Sequence, residues 1–441
     1  MRTPKRWHTL VALVTIATAL LLPGVAAPSA NATVVPFGNE FLWGVASSGF
    51  QSEGYAPESN WTRYIDSGAA GDEYGNSVDF TNHYASDIDL AARLGVRVYR
   101  IGIEWARLQP EPGIWDAAAF RFYDDVIARI VAAGMRPMLT LDHWVYPGWA
   151  SDRGGWRNPG MVEDWLVNMR KVVNRYASRN PLWVTFNEPA AYVGTELRIG
   201  AITVDEAPAM LDRMAQAHNT IYDTIHRTTP NAQVTSNFGY VAGAETEVNQ
   251  PMVDRIADKL DFIGVDYYFA VLPESGQSVQ GGSIQGPAIW ELPIRTEGIY
   301  YALRHYSRLF PDRPLYVVEN GMPTENDLPR ADGYTRSEHL RDTVYWLQRA
   351  EADDIDVVGY NYWSLTDNYE WGSYTPRFGL YTVDVRTDPT LARQPTDAVE
   401  TYRTIIRSGG VPANYRPTRP PAECALVDPP ESCDQTVGLP D

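Results

Sequence analysis

Between residues 41 and 409 the chain alternates short runs dense in Val, Ile, Leu, Phe and Tyr with longer stretches whose apolar positions fall on one helical face. The short runs lie at 41–48, 97–105, 136–144, 182–189, 232–240, 260–268, 314–322 and 356–365. Apolar runs of this length suit strands buried on both faces. The longer stretches read as helices. In 118–134, Phe120, Tyr123, Ile127 and Ile130 share a face and Gly134 ends the pattern. Residues 160–179, 207–228, 297–310 and 336–352 behave alike. Eight strands, each followed by a helix, predict an α/β protein with a single catalytic (β/α)8 TIM barrel over 37–410. An open doubly wound sheet is the alternative. Against it, no G-x-G-x-x-G follows the first strand. Polar and aromatic residues also recur at the strand ends, where such a barrel carries its chemistry: Gln51 and Glu53, His143-Trp144, Asn187-Glu188, Asp266-Tyr267-Tyr268, Glu319-Asn320 and Trp363.

The two ends of the chain have a different texture. Arg2, Lys5 and Arg6 precede an apolar run from Leu10 to Leu22, and Ala30-Asn31-Ala32 offers an A-x-A cleavage site. This is the layout of a secretory signal peptide over 1–32, and it predicts export with cleavage near Ala32. The apolar run is too short for a bilayer span, so no membrane attachment is expected after cleavage. Residues 411–441 are Pro-rich and aperiodic, which suggests a tail lying over the surface. Both cysteines, Cys424 and Cys433, fall in it, and in an oxidising compartment their spacing permits a disulfide.

Composition narrows the function. With 37 Lys+Arg against 55 Asp+Glu the formal charge is −18, which argues against nucleic-acid or anionic-membrane partners. Two Cys and seven His show no ligand spacing, so no metal or organic cofactor is expected. The chain holds 14 Trp and 26 Tyr, an aromatic excess suited to stacking on the apolar faces of sugar rings.

Two carboxylates stand out. Glu188 closes the fourth strand in Thr185-Phe186-Asn187-Glu188-Pro189, and Glu319 closes the seventh in Val317-Val318-Glu319-Asn320-Gly321. Burying either acid beside such apolar neighbours is costly unless it has partners or a task. On nearly opposite strands of an eight-stranded barrel they face each other across the mouth. Glycosidic-bond cleavage uses such a pair, one protonated and one ionised.

The segments FLWGVASSGFQSEG, YRIGIEWARLQP, LDHW, TFNEP, DFIGVDYY, VVENG, YNYWSLTDNYEW and RFGLYTVD occur in this order. Together they resemble glycoside hydrolase family 1, the retaining β-glycosidases of the β-glucosidase type, over residues 37–407. The resemblance implies that Glu188 is the general acid/base and Glu319 the nucleophile. It implies that Asn187 bonds the sugar 2-OH and that Arg100 and Tyr268 contact Glu319. Gln51, His143, Trp144, Glu370 and Trp371 are implied around the remaining hydroxyls, with Trp363 as the stacking floor and Phe378 as a wall.

Several positions depart from the family pattern. Asp266 stands where Asn is usual, Gly102-Ile103-Glu104-Trp105 replaces a Ser-x-Ser-Trp pattern, and Val145 follows His143-Trp144 where Asp is common. The segment from Glu188 to Tyr268 is shorter than usual, which predicts an altered or more open leaving-group side. The intact Asn368-Tyr369-Glu370-Trp371 favours an unphosphorylated sugar. The leading expectation is an exported retaining exo-β-glycosidase acting on terminal β-D-glucosides, its partner a small-molecule or oligosaccharide β-glycoside. Alternatives are galactosides or fucosides, a diglycosidase releasing a disaccharide from a plant glycoside, an endo-acting enzyme, and a transglycosylase. A sugar-binding pseudoenzyme is disfavoured because both glutamates are present.

Overall fold

The computed structural model describes residues 34–269 and 288–421. Eight parallel strands close into a barrel: β1 Leu42–Ala46, β2 Val98–Gly102, β3 Arg136–Asp142, β4 Leu182–Asn187, β5 Gln233–Gly239, β6 Ile263–Asp266, β7 Leu315–Asn320 and β8 Val357–Trp363. Strand β8 pairs with β1, so the sheet has no free edge. A helix follows each strand: α1 Phe80–Leu94, α2 Ala117–Ala132, α3 Met161–Tyr176, α4 Ala207–Thr228, α5 Gln250–Ile256, α6 Gly298–Leu309, α7 Arg336–Ala352 and α8 Ala398–Ser408. The (β/α)8 architecture expected from the periodicity is therefore the one observed. The signal segment and both cysteines lie outside the described residues.

Local chemistry explains where the helices begin and end. Asp116 accepts from the Ala118 amide at 2.6 Å to start α2, and Thr335 and Glu338 form a capping box at the head of α7. Gly95 and Gly409 close α1 and α8 in the left-handed conformation. The polar segment after α8 lies on α7. Tyr415 donates to Asp342 at 2.5 Å, the Thr418 amide donates to the same carboxyl, and Arg419 covers the Tyr334 ring at 4.0 Å.

Each strand divides its side chains between two cores. Val98, Met138, Leu182, Val184, Phe262, Tyr316 and Val318 fill the lower barrel interior. Tyr99, Ile101, Leu139, Leu141, Trp183 and Val234 point outward to the helices. Register shifts on β4 and β7 break this alternation next to the candidate glutamates, and a further one leaves an extra residue on β8 between Val357 and Gly359. Between β4 and β5 the register runs from Val184↔Thr235 to Asn187↔Asn237, leaving one extra residue on β4. Between β7 and β8 it runs from Val317↔Tyr360 to Asn320↔Tyr362, leaving one extra residue on β7. Each is a β-bulge, which re-aims the side chains beyond it. On β4, Thr185 and Phe186 both face outward: Thr185 meets His218 of α4 at 2.7 Å, and Phe186 stacks on Trp165 of α3 with centroids 4.7 Å apart. Asn187 then turns into the mouth.

Trp165 is fully buried and also donates its indole N–H to Asp142 at 2.9 Å. Replacing it with Ala leaves a cavity behind the β4 bulge and takes one donor from Asp142, which keeps the Trp144 amide. The expected cost is about 3–5 kcal/mol in chemical unfolding, together with a loss of activity from the displaced Asn187 and Glu188. A variant of unchanged stability would contradict this reading of the packing.

Candidate active site

The C-terminal rim of the barrel brings the expected residues together. Glu188 follows β4 and enters a short helix, Pro189–Arg198, from a left-handed backbone with φ 39°. Its amide donates to the Asn237 carbonyl at 3.1 Å. The two Glu are divided by their surroundings. Glu319 is buried; Arg100 Nη1 donates to its Oε1, and the Tyr268 hydroxyl donates to Oε2 at 2.7 Å. A guanidinium and a phenol together complement a carboxylate. Among the described residues no cation pairs with Glu188, which feels Arg100 only through its charge. Desolvation, and then the charge of Glu319, push it up to about 8. One acid thus holds a proton at neutral pH beside one dressed as an anion.

Arg100 ties the mouth together. It is fully buried; Nη2 donates to Asn187 Oδ1 at 2.6 Å and Nε to Thr140 Oγ1 at 2.9 Å. Asn237 Nδ2 also donates to Asn187 Oδ1, at 2.8 Å. Two donors on its oxygen fix the Asn187 amide, so Nδ2 faces His143 Nε2 at 3.2 Å. An amide N–H can only donate, so Nε2 accepts and Nδ1 carries the hydrogen. Burial and the Arg100 charge hold His143 well below its ordinary range, keeping it neutral. Its Nδ1 is buried and meets no acceptor among the described residues.

The other expected residues complete the wall. Gln51 sits on a short helix, Gly49–Glu53, after β1. Its Oε1 accepts from Ser48 at 2.7 Å, and its Nε2 donates to Asn368 at 3.0 Å and Glu370 at 3.2 Å. Glu370 also accepts from the Trp363 indole at 3.2 Å, and burial raises its carboxyl to about 7. Trp144 donates its indole N–H to the Asn187 carbonyl at 2.8 Å and lies 4.7 Å from Trp371. His143 lies parallel to both Trp363 and Trp371, at 5.9 and 5.7 Å. Phe378 packs with Trp363 and meets Tyr268 edge-on at 5.7 Å. Glu104 works one step back, accepting from the Phe50 amide at 2.9 Å and so holding the Gln51 helix.

Sequence reading passed over Asn237, Gly239 and the partner of Asp266. Asn237, in the mixed stretch Val234–Gly239, links Asn187 to Asp266; beside Thr235 and Ser236 it gave no distinct signal in the sequence. Asp266 accepts from Asn237 rather than forming a hydrogen bond with Arg100. Among the described residues no cluster of His, Cys, Asp and Glu is disposed to hold a metal ion.

A closed parallel barrel with two glutamates, fixed amides, a neutral His and indole planes at its C-terminal rim defines a carbohydrate-active enzyme. The chain matches the family model described as Glycosyl hydrolase family 1 over residues 34–249 and 204–411, and it belongs to that family of glycosidases. Among its relatives, the Arabidopsis thaliana galactolipid galactosyltransferase SFR2 is 31% identical, aligned over 74% of this chain and 57% of its own length. The chain thus spans little more than half of that relative. Beta-glucosidase A of Thermotoga maritima is 26% identical over 86% of this chain and 99% of its own. The solved β-glycosidase from Pyrococcus horikoshii superposes with a TM-score of 0.74 at 26% identity, covering 86% of this chain and 96% of that one.

Gly239 makes room for the Glu188 carboxyl: a Cβ there would stand 2.2 Å from Oε1. Gly239→Ala is therefore expected to push the acid off line and lower glycosidase turnover about 100-fold, the penalty of a displacement near 1 Å, while thermal unfolding stays close to wild type. Full turnover in that variant would show that Glu188 does not work from this position.

Proposed function

We propose that this protein is an exported retaining exo-β-glycosidase acting on terminal β-D-glucosides, with Glu188 as acid/base and Glu319 as nucleophile. The observation that carries the reading is the division between the two carboxyls. Glu319 is gripped by Arg100 and Tyr268, and Glu188 is raised to about 8. In the first step Glu188 gives its proton to the glycosidic oxygen as a Glu319 oxygen bonds to the anomeric carbon and the bond from that carbon to the glycosidic oxygen breaks, releasing the aglycone as an alcohol. In the second, Glu188 takes a proton from water. The water oxygen bonds to that carbon and the Glu319 ester breaks, restoring the β configuration. Asn187 holds the 2-OH, where bonding strengthens as positive charge grows on the ring. The His143 Nδ1–H, Gln51, Glu370 and Trp371 bind the other hydroxyls, Trp144 lines the site beside Trp371 with its N–H on Asn187, Trp363 floors the ring, and Phe378 walls it.

A second reading is favoured by the SFR2 relatives, one of them named a galactolipid galactosyltransferase: the same glycosyl-enzyme passes its sugar to another glycoside. The two differ only in which acceptor reaches the ester.

Glu319→Gln is expected to lose aryl β-glucoside turnover by several orders of magnitude. Glu188→Ala should spare substrates with good leaving groups in the first step, and azide should rescue it to give a β-glycosyl azide. An α-azide would exchange the two roles. Because Glu188 must be protonated to act, kcat/KM should fall as pH rises through about 8, and this limb should vanish in Glu188→Ala. Product analysis with galactolipid present separates hydrolysis from transfer.

We read residues 1–32 as a cleaved export signal. Protein recovered from the medium of the native cells should begin at Thr33. Retention in the cells with Met1 intact would remove export from the account.

A further inference from the structure

Those two steps leave one buried acid in the mouth without a task. Asp266 is fully buried, and strand register fixes its place. Gly239 of β5 pairs with Asp266 of β6, and Asp266 pairs with Glu319 of β7. The Glu188 carboxyl lies over Gly239, so Asp266 sits between the two glutamates. Its Oδ2 accepts from Asn237, while its Oδ1 is buried and receives no hydrogen bond from a donor among the described residues. Register and the space over Gly239 set the Asp266 carboxyl beside that of Glu188, where the two can share a proton. Two carboxyl groups bond to each other only through a proton, because a carboxylate can only accept.

We propose that Asp266 is a positioning residue that stays protonated through the reaction and donates its O–H to the Glu188 carboxyl. The bond steadies the acid and strengthens when Glu188 becomes a carboxylate on protonating the leaving oxygen. No bond to Asp266 is made or broken. Its proton remains in place while the Glu188 proton leaves for the glycosidic oxygen and is replaced from water. The inference rests on the acid/base role of Glu188.

The groups facing Asp266 favour the neutral form. Burial opposes its charge first, and the charges of Glu319 on β7 and Glu188 on β4 oppose it next. Arg100 on β2 and the Asn237 amide on β5 favour it, but Arg100 is already engaged by Glu319. The Tyr268 hydroxyl is committed to Glu319, and Tyr306 of α6, which senses Asp266, donates to Glu245. With Asp266 neutral, one guanidinium meets one carboxylate in the mouth. Ionised, it adds a negative charge with no cation to match. A buried acid kept neutral can serve as a donor.

Asp266→Asn replaces one neutral donor with another that can still accept from Asn237. It should retain activity within about threefold and leave the alkaline limb of kcat/KM within about half a unit, since no charge changes. If Asp266 is an anion, the same variant removes a negative neighbour and moves that limb down by about one unit or more, which overturns the proposal. Asp266→Ala loses the donor. It should lower kcat about 10- to 100-fold and move the limb upward; wild-type kcat and limb in this variant also overturn the proposal. The infrared difference spectrum of wild type minus Asp266→Asn, taken below pH 8, should show one neutral-carboxyl C=O band; a carboxylate band instead refutes the assignment. This spectrum needs no turnover. It judges the Asp266 proton separately from azide rescue of Glu188→Ala, which judges the acid/base role.

Discussion

The site depends on one buried cation. Arg100 rises from β2 into the middle of the mouth with no exposed surface, and its three nitrogens reach Glu319 on β7, Asn187 on β4 and Thr140 on β3. A guanidinium in such a place is tolerated only with full pairing, because an unmatched buried charge costs about 3–5 kcal/mol. The same pairing carries the chemistry. It dresses Glu319 as an anion, and it pins the Asn187 oxygen so that the amide N–H turns to His143. At Glu188 burial first, and then the Glu319 charge, outweigh the Arg100 charge and push the carboxyl up to about 8. Two residues of one type thus acquire opposite states from one asymmetrically placed cation.

That placement requires the strands to break their own alternation. A regular β4 would send Phe186 inward with Val184 and turn Asn187 out toward the helices. The extra residue on β4 sends Phe186 to the Trp156 and Trp165 side and delivers Asn187 to Arg100. The extra residue on β7 lets Val318 fill the lower barrel while the next residue, Glu319, meets Arg100. Gly239 then leaves the space that the Glu188 carboxyl occupies.

Most of the barrel was legible in the chain because its causes are local. Runs such as 136–144 and 182–189 are dense in apolar residues, and Gly134 marks the end of its helix. The glutamates were legible because an acid after Val-Val or Thr-Phe is anomalous on energetic grounds. The bulges were not, since nothing in Thr185-Phe186-Asn187 says which residue is the extra one. That is decided by Trp165 and His218, on helices distant in sequence. Asp266 was visible as a residue but not its partners, which the register of β5, β6 and β7 selects.

The central claim is that Glu319 attacks the sugar and Glu188 does not. A 2-deoxy-2-fluoro-β-glucoside with a good leaving group tests it most directly, because fluorine slows both steps while the leaving group favours the first, so the ester accumulates. After incubation and proteolysis, mass spectrometry should find one fluoroglucosyl group on the peptide carrying Glu319. The group on the Glu188 peptide, or rapid hydrolysis of the reagent by a Glu319→Gln variant, would contradict the account.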